Sequence, residues 1–269
     1  MSVVTPLHKK LYDTEGFMIL PSVIPKETLE MLREECSYYR GYFDAILEGK
    51  GVESDGLTHR GKRYFIPNRY RLSTRLWEFI FSPLMAQVAE ATLGPDAYLF
   101  HEQWVVKGAE QEMKFSWHQD SGYVKRYHPA TSHKPYLTCW CALDDVSEVN
   151  GTVRLLPYSR ADTKETILDH ERDEVSSDLV AYFGDDPGDP VSVPAGSIVA
   201  FTSYLLHCSG PNTTKHMRRV YLAQYSGAPI THPDGTPWSM AVPFLNGGKV
   251  VYDHAADTSA NWGPVARSK

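Results

Sequence analysis

From Ala97 onward the sequence alternates between short apolar runs and turn-forming residues, and this pattern limits what the chain can fold into. The runs are rich in β-branched and aromatic residues and are separated by Gly, Pro, Asn and Asp, as in AYLFHEQWVV, YLTCWCAL, TVRLLP, SIVAFTSY and RRVYLAQYS. Short strands at such spacing are typical of an all-β sandwich or barrel. We therefore expect a β core over residues 97–228, followed by a C-terminal extension over residues 229–269.

The first 96 residues show helical spacing and helix caps instead. A short apolar strand, GFMILP, leads into a helix that starts near Pro25 and has one apolar face, formed by Leu29, Leu32, Cys36 and Tyr39. A second helix is predicted between Ser82, a candidate N-cap before Pro83, and the Gly94 stop signal. No linker separates the two regions, so we expect one mainly β domain with flanking helices (α+β) across residues 1–269.

Composition and charge exclude other classes of protein. The formal net charge is −6, which argues against a generally basic nucleic-acid-binding surface. No apolar run approaches the roughly 18 residues that span a bilayer, and the first residues, MSVVTPLHKKLYDTEG, lack the apolar core of a signal peptide. The cysteines form no CxxC pair, so a structural zinc site has no support. We expect a cytoplasmic protein without nucleic-acid or membrane partners.

Two separated motifs carry candidate metal ligands. The motif SWHQDSGY contains His118 and Asp120, whose side chains project to the same side on an extended segment. A later apolar strand, SIVAFTSYLLHCSG, leads to His207. Two histidines and one carboxylate form the facial triad of non-haem Fe(II) oxygenases. This triad leaves three positions of an octahedral ion open, two for a chelating 2-oxo acid and one for O₂.

A candidate cation for the co-substrate follows the second histidine. Arg218 lies 11 residues after His207, and a hairpin of that length can place it on the adjacent strand, facing the same cavity. A chelating 2-oxo acid of this kind carries a distal carboxylate that needs a fixed cation. Arginine suits this role because its planar guanidinium binds a carboxylate through two parallel hydrogen bonds.

The chain resembles the phytanoyl-CoA dioxygenase family, which also contains ectoine hydroxylase and many natural-product oxygenases. Four motifs carry the resemblance in the family's order: DTEGFMILPSVIPKETLEMLR, WHQD, WCALDDVSEVNGTVRLLPYSR and AGSIVAFTSYLLHCSGPNTTKHMRR. One departure is PYSR, where the family usually has PGSH. The resemblance implies a double-stranded β-helix, or jelly-roll, core and an enzyme that uses Fe(II), 2-oxoglutarate and O₂.

The resemblance also implies residue roles. Position by position, His118, Asp120 and His207 correspond to the iron ligands, and Arg218 corresponds to the arginine that binds the distal carboxylate of 2-oxoglutarate. The other matches to the co-substrate pocket are Ser209, Trp140 and Gln103. The implied reaction is hydroxylation of an unactivated C–H bond of a small or medium metabolite, with release of succinate and CO₂. Desaturation, epoxidation and ring formation use the same type of site and stay open.

Candidate substrate contacts are Arg63, Arg69, His101 and Gln119. The segment from His59 to Arg75 is basic, and as a flap over the active site it would offer Arg63 or Arg69 to an anionic substrate. The alternative is a solvated surface whose cations lie over aromatic rings. His101 lies beside a strand position that faces the barrel, and Gln119 lies between two metal ligands. The sequence does not indicate an oligomeric state.

Three rival functions fit the sequence less well. A halogenase of the same fold would have Ala or Gly in place of the acidic ligand, whereas Asp120 is present. A non-redox zinc hydrolase could use two His and one Asp, but it would not need the pair Arg218 and Ser209. A binding module without activity would be expected to lose a ligand, and all three are retained.

Overall fold

The computed structural model describes residues 2–109, 113–173 and 178–257 as antiparallel strands with flanking helices. The helices are α1 Pro6–Glu15, α2 Lys26–Lys50, α3 Leu76–Ile80, α4 Pro83–Leu93, α5 Asp120–Tyr127 and α6 Tyr158–Ala161, with a 3₁₀ turn at Glu148–Asn150. The first eight strands are β1 Phe17–Leu20, β2 Ser54–Asp55, β3 Thr58–His59, β4 Arg63–Pro67, β5 Ala97–Lys107, β6 Phe115–His118, β7 Leu137–Ala142 and β8 Val153–Leu156. The others are β9 Glu171–Arg172, β10 Leu179–Val180, β11 Asp189–Pro190, β12 Ile198–Thr202, β13 Leu206–Ser209, β14 Arg218–Ser226, β15 Val242–Asn246 and β16 Lys249–Val250.

Two antiparallel sheets form the core. The major sheet has the strand order β1-β12-β7-β14-β5-β4-β3-β2, and the minor sheet has the order β11-β8-β13-β6. One cluster of buried side chains joins the two sheets, because it contains Trp140 and Val105 of the major sheet together with Leu155 of the minor sheet. This arrangement, with its non-sequential strand order, is a jelly roll and confirms the predicted fold class.

The major sheet is covered on both faces, which explains why its strands read as continuous apolar runs. On β7, Cys139 and Cys141 belong to the outer cluster, whereas Trp140 and Ala142 belong to the cluster between the sheets. The outer cluster also contains the buried faces of α2 and α4. The N-terminal helices therefore support the major sheet from outside and leave its inner face to line the space between the sheets.

Local signals placed two of the helices correctly. Helix α2 begins at Lys26, directly after Pro25, and buries the predicted apolar face. Helix α4 begins after Ser82, whose side chain accepts a hydrogen bond from the backbone N–H of Met85 at 3.3 Å, and it ends before Gly94. Helices α1 and α5 were not predicted, although Thr5 and Pro6 provide a capping signal for α1. Within the described residues, no helix combines the length and hydrophobicity needed to cross a membrane.

The segment after the β core adds to the major sheet. Strand β15 pairs with the beginning of β5, with Val242 opposite Leu99. Just before it, the backbone N–H of Met240 donates to the carbonyl of Phe100 at 3.0 Å. The predicted C-terminal extension thus borders the same strand that carries His101 and Gln103.

Gly16 provides a test of how the N-terminal region joins the core. It ends α1 with a φ of 87°, and a Cβ there would lie 2.9 Å from side-chain atoms of Leu205 and Tyr158. We expect Gly16→Ala to lower the free energy of unfolding by roughly 1–3 kcal/mol, measured by urea denaturation. The matched control is Gly41→Ala in the middle of α2, where a Cβ meets nothing within 4 Å. In this control the free energy of unfolding should rise by roughly 0.5–1 kcal/mol. Equal effects of the two changes would contradict the close packing at Gly16.

Candidate metal centre and active site

The three predicted metal ligands meet between the sheets. One ligand atom from each of His118, Asp120 and His207 lies within 4.8 Å of the others. The Oδ1 atom of Asp120 is 3.9 Å from Nε2 of His118 and 3.6 Å from Nε2 of His207. Two ligand atoms bonded to one ion at about 2.0–2.2 Å lie roughly 3 Å from each other. The observed separations are slightly longer, so a small inward movement of the three side chains would let them bind one ion.

Strand pairing positions the two histidines. His118 ends β6 and His207 lies in β13, and the two are direct partners in the register of the minor sheet. Asp120 is the first residue of α5, with Gln119 at the N-cap. Gln119 keeps an extended backbone (φ −109°, ψ 137°), so His118 and Asp120 project to the same side as expected, and the helix begins only at Asp120. An acid in the first helical turn is favoured by the helix dipole.

Backbone carbonyls fix the orientation of both imidazoles. The Nδ1 atom of His118 lies 2.8 Å from the carbonyl oxygen of Ser116, and Nδ1 of His207 lies 3.0 Å from that of Leu205. A carbonyl only accepts, so each Nδ1 carries the proton and each Nε2 offers its lone pair to the centre. Burial, followed by the neighbouring His207, lowers the pKa of His118 to about 4. The His118 ring is thus neutral at pH 7, as a metal ligand must be.

The carboxylate of Asp120 is held by one of its two oxygens. Oδ2 accepts hydrogen bonds from Thr138 Oγ1 at 2.6 Å and from Gln224 Nε2 at 3.0 Å. Gln224 Nε2 also donates to Thr138 Oγ1 at 2.9 Å. Oδ1 is the oxygen that faces the histidines. Both donors are neutral, so they orient the carboxylate for one-oxygen ligation without cancelling its charge.

Gln119 anchors the segment between two ligands and does not contact the cavity. Its side-chain nitrogen donates to the carbonyls of Thr166 and Tyr204 at 2.8 and 2.6 Å, and its side-chain oxygen accepts from the N–H of Leu168 at 2.7 Å. Its backbone N–H donates to Nε2 of His170 at 3.0 Å. The predicted substrate contact of Gln119 is therefore wrong, because its fully buried side-chain amide makes its hydrogen bonds with the backbone.

Arg218 reaches the cavity by a different route from the one predicted. It begins β14 in the major sheet, whereas His207 is in β13 of the minor sheet, so the two are not on adjacent strands. The chain between them crosses from one sheet to the other. Both residues nevertheless line one cavity of about 520 Å³.

The surroundings of Arg218 suit a carboxylate ligand. Its side chain is buried, and its Nη2 donates to the carbonyl of Gly151 at 2.8 Å. Nε and Nη1 have no hydrogen-bond partner among the described residues, and the same holds for the hydroxyl of Ser209. The guanidinium carbon lies 5.6 Å from the centre of the Trp140 ring. Burial lowers the pKa of Arg218 to about 10, so it stays charged at pH 7. Unpartnered buried donors are costly, and a bound dicarboxylate would satisfy them.

Sequence reasoning missed Lys107, which supports this end of the cavity. Lys107 lies in β5 directly between Arg63 of β4 and Arg218 of β14. Its Nζ donates to the backbone carbonyls of Ser209 and Gly210. Burial, with the charge of Arg218 next, lowers the pKa of Lys107 to about 6. Lys107 therefore fixes the backbone that carries Ser209 while adding little charge beside Arg218 at pH 7. No local pattern marks such a residue.

The family of the chain follows from comparison with known proteins. Residues 12–220 match the family model described as phytanoyl-CoA dioxygenase (PhyH). The chain belongs to this family. The predicted membership is confirmed, and with it the assignment as an Fe(II)- and 2-oxoglutarate-dependent oxygenase of a small molecule.

Curated relatives of the phytanoyl-CoA dioxygenase family match most of the chain. It is 25% identical to the L-proline trans-4-hydroxylase of Streptomyces griseoviridis, over 88% of this chain and 94% of that protein. It is 22% identical to the peroxisomal phytanoyl-CoA dioxygenase of Homo sapiens, over 87% of this chain and 71% of that protein. The ectoine dioxygenase of Bordetella parapertussis is 23% identical, over 75% of this chain and 68% of that protein.

Solved structures show the same fold. The 2-oxoglutarate-dependent carbocyclase SnoK from nogalamycin biosynthesis matches with a TM-score of 0.65 and 17% identity, over 91% of this chain and 96% of that chain. EvdO2 from Micromonospora carbonacea var. aurantiaca, solved with 2-oxoglutarate, matches with a TM-score of 0.65 and 21% identity, over 87% and 95% of the two chains. At these identities the likeness concerns the fold.

The remaining site predictions for this family member divide into two groups. Trp140, Gln103 and His101 all line the cavity. Arg63 and Arg69 do not line it, and both are fully buried, so neither the substrate contact nor the solvated surface is correct for them. Several cations of the basic segment pair with acids instead: Arg60 with Glu48, Arg63 with Asp178, Arg71 with Asp257 and Arg75 with Glu35.

The hydrogen bond from Thr138 to Asp120 predicts an effect on metal affinity. Thr138→Val keeps the shape of the side chain but removes the hydroxyl, which leaves Oδ2 with one donor. We expect Fe(II) affinity, measured by anaerobic titration, to fall roughly 10- to 100-fold. Thr138→Ser keeps the hydroxyl and is the matched control, with affinity close to that of the wild type. Wild-type affinity in the valine variant, with an unchanged melting temperature, would contradict the role of this bond.

Proposed function

We propose that His118, Asp120 and His207 hold the Fe(II) and that Arg218, helped by Ser209, holds the far carboxylate of 2-oxoglutarate. One observation carries this assignment: three converging ligand atoms share a cavity with a buried arginine that has two nitrogen atoms, Nε and Nη1, without hydrogen-bond partners among the described residues. When bound, Fe(II) and 2-oxoglutarate activate O₂ so that one oxygen atom enters a substrate C–H bond and the other enters succinate, with loss of CO₂.

The protein's part in this reaction is to bind and orient. The triad would hold the ion from one side and would leave its other ligand positions to the cavity. The carbonyls of Ser116 and Leu205 keep both Nε2 atoms directed at the centre, while Thr138 and Gln224 keep one oxygen of Asp120 free for the metal. Such support fixes the ligands before binding, so little reorganisation is needed when the metal and co-substrate arrive.

Arg218 orients the co-substrate from the opposite sheet. Its guanidinium is constrained by the bond to the Gly151 carbonyl and by contact with the Trp140 ring, so the donors on the unpartnered Nε and Nη1 atoms have a fixed direction. A fixed cation selects a dicarboxylate over a simple 2-oxo acid such as pyruvate, which has no distal carboxylate. We assign Gln103, which lines the cavity, to the co-substrate pocket as well.

Hydroxylation is the outcome we propose for the substrate. The resemblance to an L-proline hydroxylase and to an ectoine dioxygenase supports it, because each covers most of the chain. Desaturation, epoxidation or ring formation requires the same ligands and depends on where the target C–H bond lies relative to the metal. The presence of Asp120 argues against a halogenase, and the unpartnered donors of Arg218 argue against a zinc hydrolase.

Spectroscopy of the anaerobic complex tests the metal and co-substrate together. Addition of Fe(II) and 2-oxoglutarate should give the weak visible charge-transfer band of the chelate, which Zn²⁺ does not produce. His118→Ala, Asp120→Ala and His207→Ala should each lose the band and turnover while the far-UV circular dichroism stays that of the wild type. Persistence of the band and of full activity in any of these variants would overturn the ligand assignment.

A second test concerns the distal carboxylate alone. Arg218→Ala removes two charge-assisted hydrogen bonds and should weaken 2-oxoglutarate binding by about 2–3 kcal/mol, or roughly 30- to 150-fold. Ser209→Ala removes one neutral donor and should cost about 1 kcal/mol. The dissociation constant of 2-oxoglutarate for each variant is measured by following the visible band while 2-oxoglutarate is added. Pyruvate is the control ligand, since its weaker binding should be the same in Arg218→Ala and wild type. If Arg218→Ala weakened pyruvate binding as much as 2-oxoglutarate binding, Arg218 would not act on the distal carboxylate.

A further inference from the structure

Aromatic rings form part of the lining of the cavity beyond the metal centre, together with aliphatic side chains. The rings include Phe43 of α2, Phe65 of β4, Phe100 of β5, Phe115 of β6, and Tyr136 and Trp238 from the loops. The rings of Phe100 and Tyr136 lie 4.8 Å apart, and Phe100 stacks on Trp238 at 5.5 Å with an interplanar angle of 29°. These rings pack against one another and so present a rigid wall, which favours a flat or cyclic partner.

Apart from the metal ligands and Arg218, the charged side chains of the described lining are paired. Arg218 faces the co-substrate end, and the other cation, Lys50, is 54% exposed at the rim and pairs with Asp55 at 2.9 Å. Asp178 pairs with Arg63 at 3.0 Å. His101 is neutral at pH 7, because burial lowers its pKa to about 4. A substrate charge placed in the interior of the cavity, away from the exposed rim, would therefore be buried without a counterion, which is strongly unfavourable.

Apart from Arg218 and Ser209, one buried polar side-chain atom of the described lining lacks a hydrogen-bond partner. The indole Nε1 of Trp238 is buried and has no hydrogen-bond partner among the described residues. The backbone N–H of Trp238 donates to the carbonyl of Ile230 at 2.9 Å, which holds the segment that presents the ring. Nδ1 of His101 is 3.2 Å from the hydroxyl of Ser239. An unpartnered indole N–H in an apolar wall calls for one acceptor oxygen on the bound molecule.

We propose that this cavity binds an uncharged, ring-bearing substrate that carries an acceptor oxygen for the indole N–H of Trp238. The proposal rests on the function proposed above and names the substrate class of the same site. The cavity of about 520 Å³ must hold 2-oxoglutarate as well as the substrate. Pockets for drug-sized ligands span roughly 300–1,000 Å³, so a substrate of two or three fused rings fits this size. The rigid wall would fix which C–H bond faces the metal.

Three probes of matched size test the charge of the substrate. They are 2-acetylnaphthalene, which is neutral with one carbonyl oxygen, 2-naphthoate, which is an anion, and 2-(aminomethyl)naphthalene, which is a cation. Each is titrated anaerobically into the protein loaded with Fe(II) and saturating 2-oxoglutarate, and the visible band and tryptophan fluorescence report binding. We expect the neutral ketone to bind roughly tenfold or more tightly than either ion. Equal or tighter binding of an ion, or no binding of any probe, overturns the proposal.

A variant of Trp238 tests the acceptor oxygen. Trp238→Phe keeps an aromatic ring but removes the N–H, so binding of 2-acetylnaphthalene should weaken roughly three- to tenfold. Binding of 2-ethylnaphthalene, which lacks the oxygen, should be unchanged in the same variant. An equal effect on both probes would show that the indole N–H does not bind the oxygen. The visible band measured without any probe separates the two proposals. If the band is absent, the proposed function is wrong. If the band is present but a charged probe binds more tightly, only the inference about the substrate is wrong.

Discussion

The pairing of β6 with β13 is the interaction on which the metal centre depends. It places His118 directly opposite His207, on one face of the minor sheet. Residues opposite each other in an antiparallel pair have Cβ atoms about 4.5–5.5 Å apart, which lets both Nε2 atoms reach one ion. A slip of one residue would turn one imidazole to the other face of the sheet and destroy the site. The extended N-cap residue Gln119, held by its amide and by His170, then directs Asp120 toward the two rings.

Burial alone does not identify the arginine that binds the co-substrate. Arg63, Arg69 and Arg218 are all almost fully buried. Arg63 pairs with Asp178. The guanidinium of Arg69 lies 5.0 Å from the Phe43 ring, and Arg69 does not line the cavity. Arg218 alone of these three combines unpartnered N–H groups with a place in the lining. The basic segment therefore secures the N-terminal region to the core, a role that a count of cations in sequence does not separate from substrate binding.

The sequence predicted what local patterns encode. The start of α2, the cap of α4 and the metal ligands all follow from short motifs. It did not predict the supports of the site, because they join residues that are distant along the chain: Thr138 lies 18 residues and Gln224 lies 104 residues from Asp120. The crossing of the chain between sheets before Arg218, and the place of Trp238 in the wall, likewise depend on tertiary packing.

Charge balance connects the metal centre with the character of the cavity. In the proposed complex, the positive charges of Fe(II) and Arg218 would equal the negative charges of Asp120 and doubly ionised 2-oxoglutarate, with His118 and His207 as neutral ligands. The supports keep this balance: Thr138, Gln224 and the backbone carbonyls are uncharged, and Asp178 is neutralised by Arg63. A cationic support at Asp120 would compete with the metal for the carboxylate. The site loaded in this way would be electroneutral in a low-dielectric setting, and any further buried charge would have to bring its own counterion.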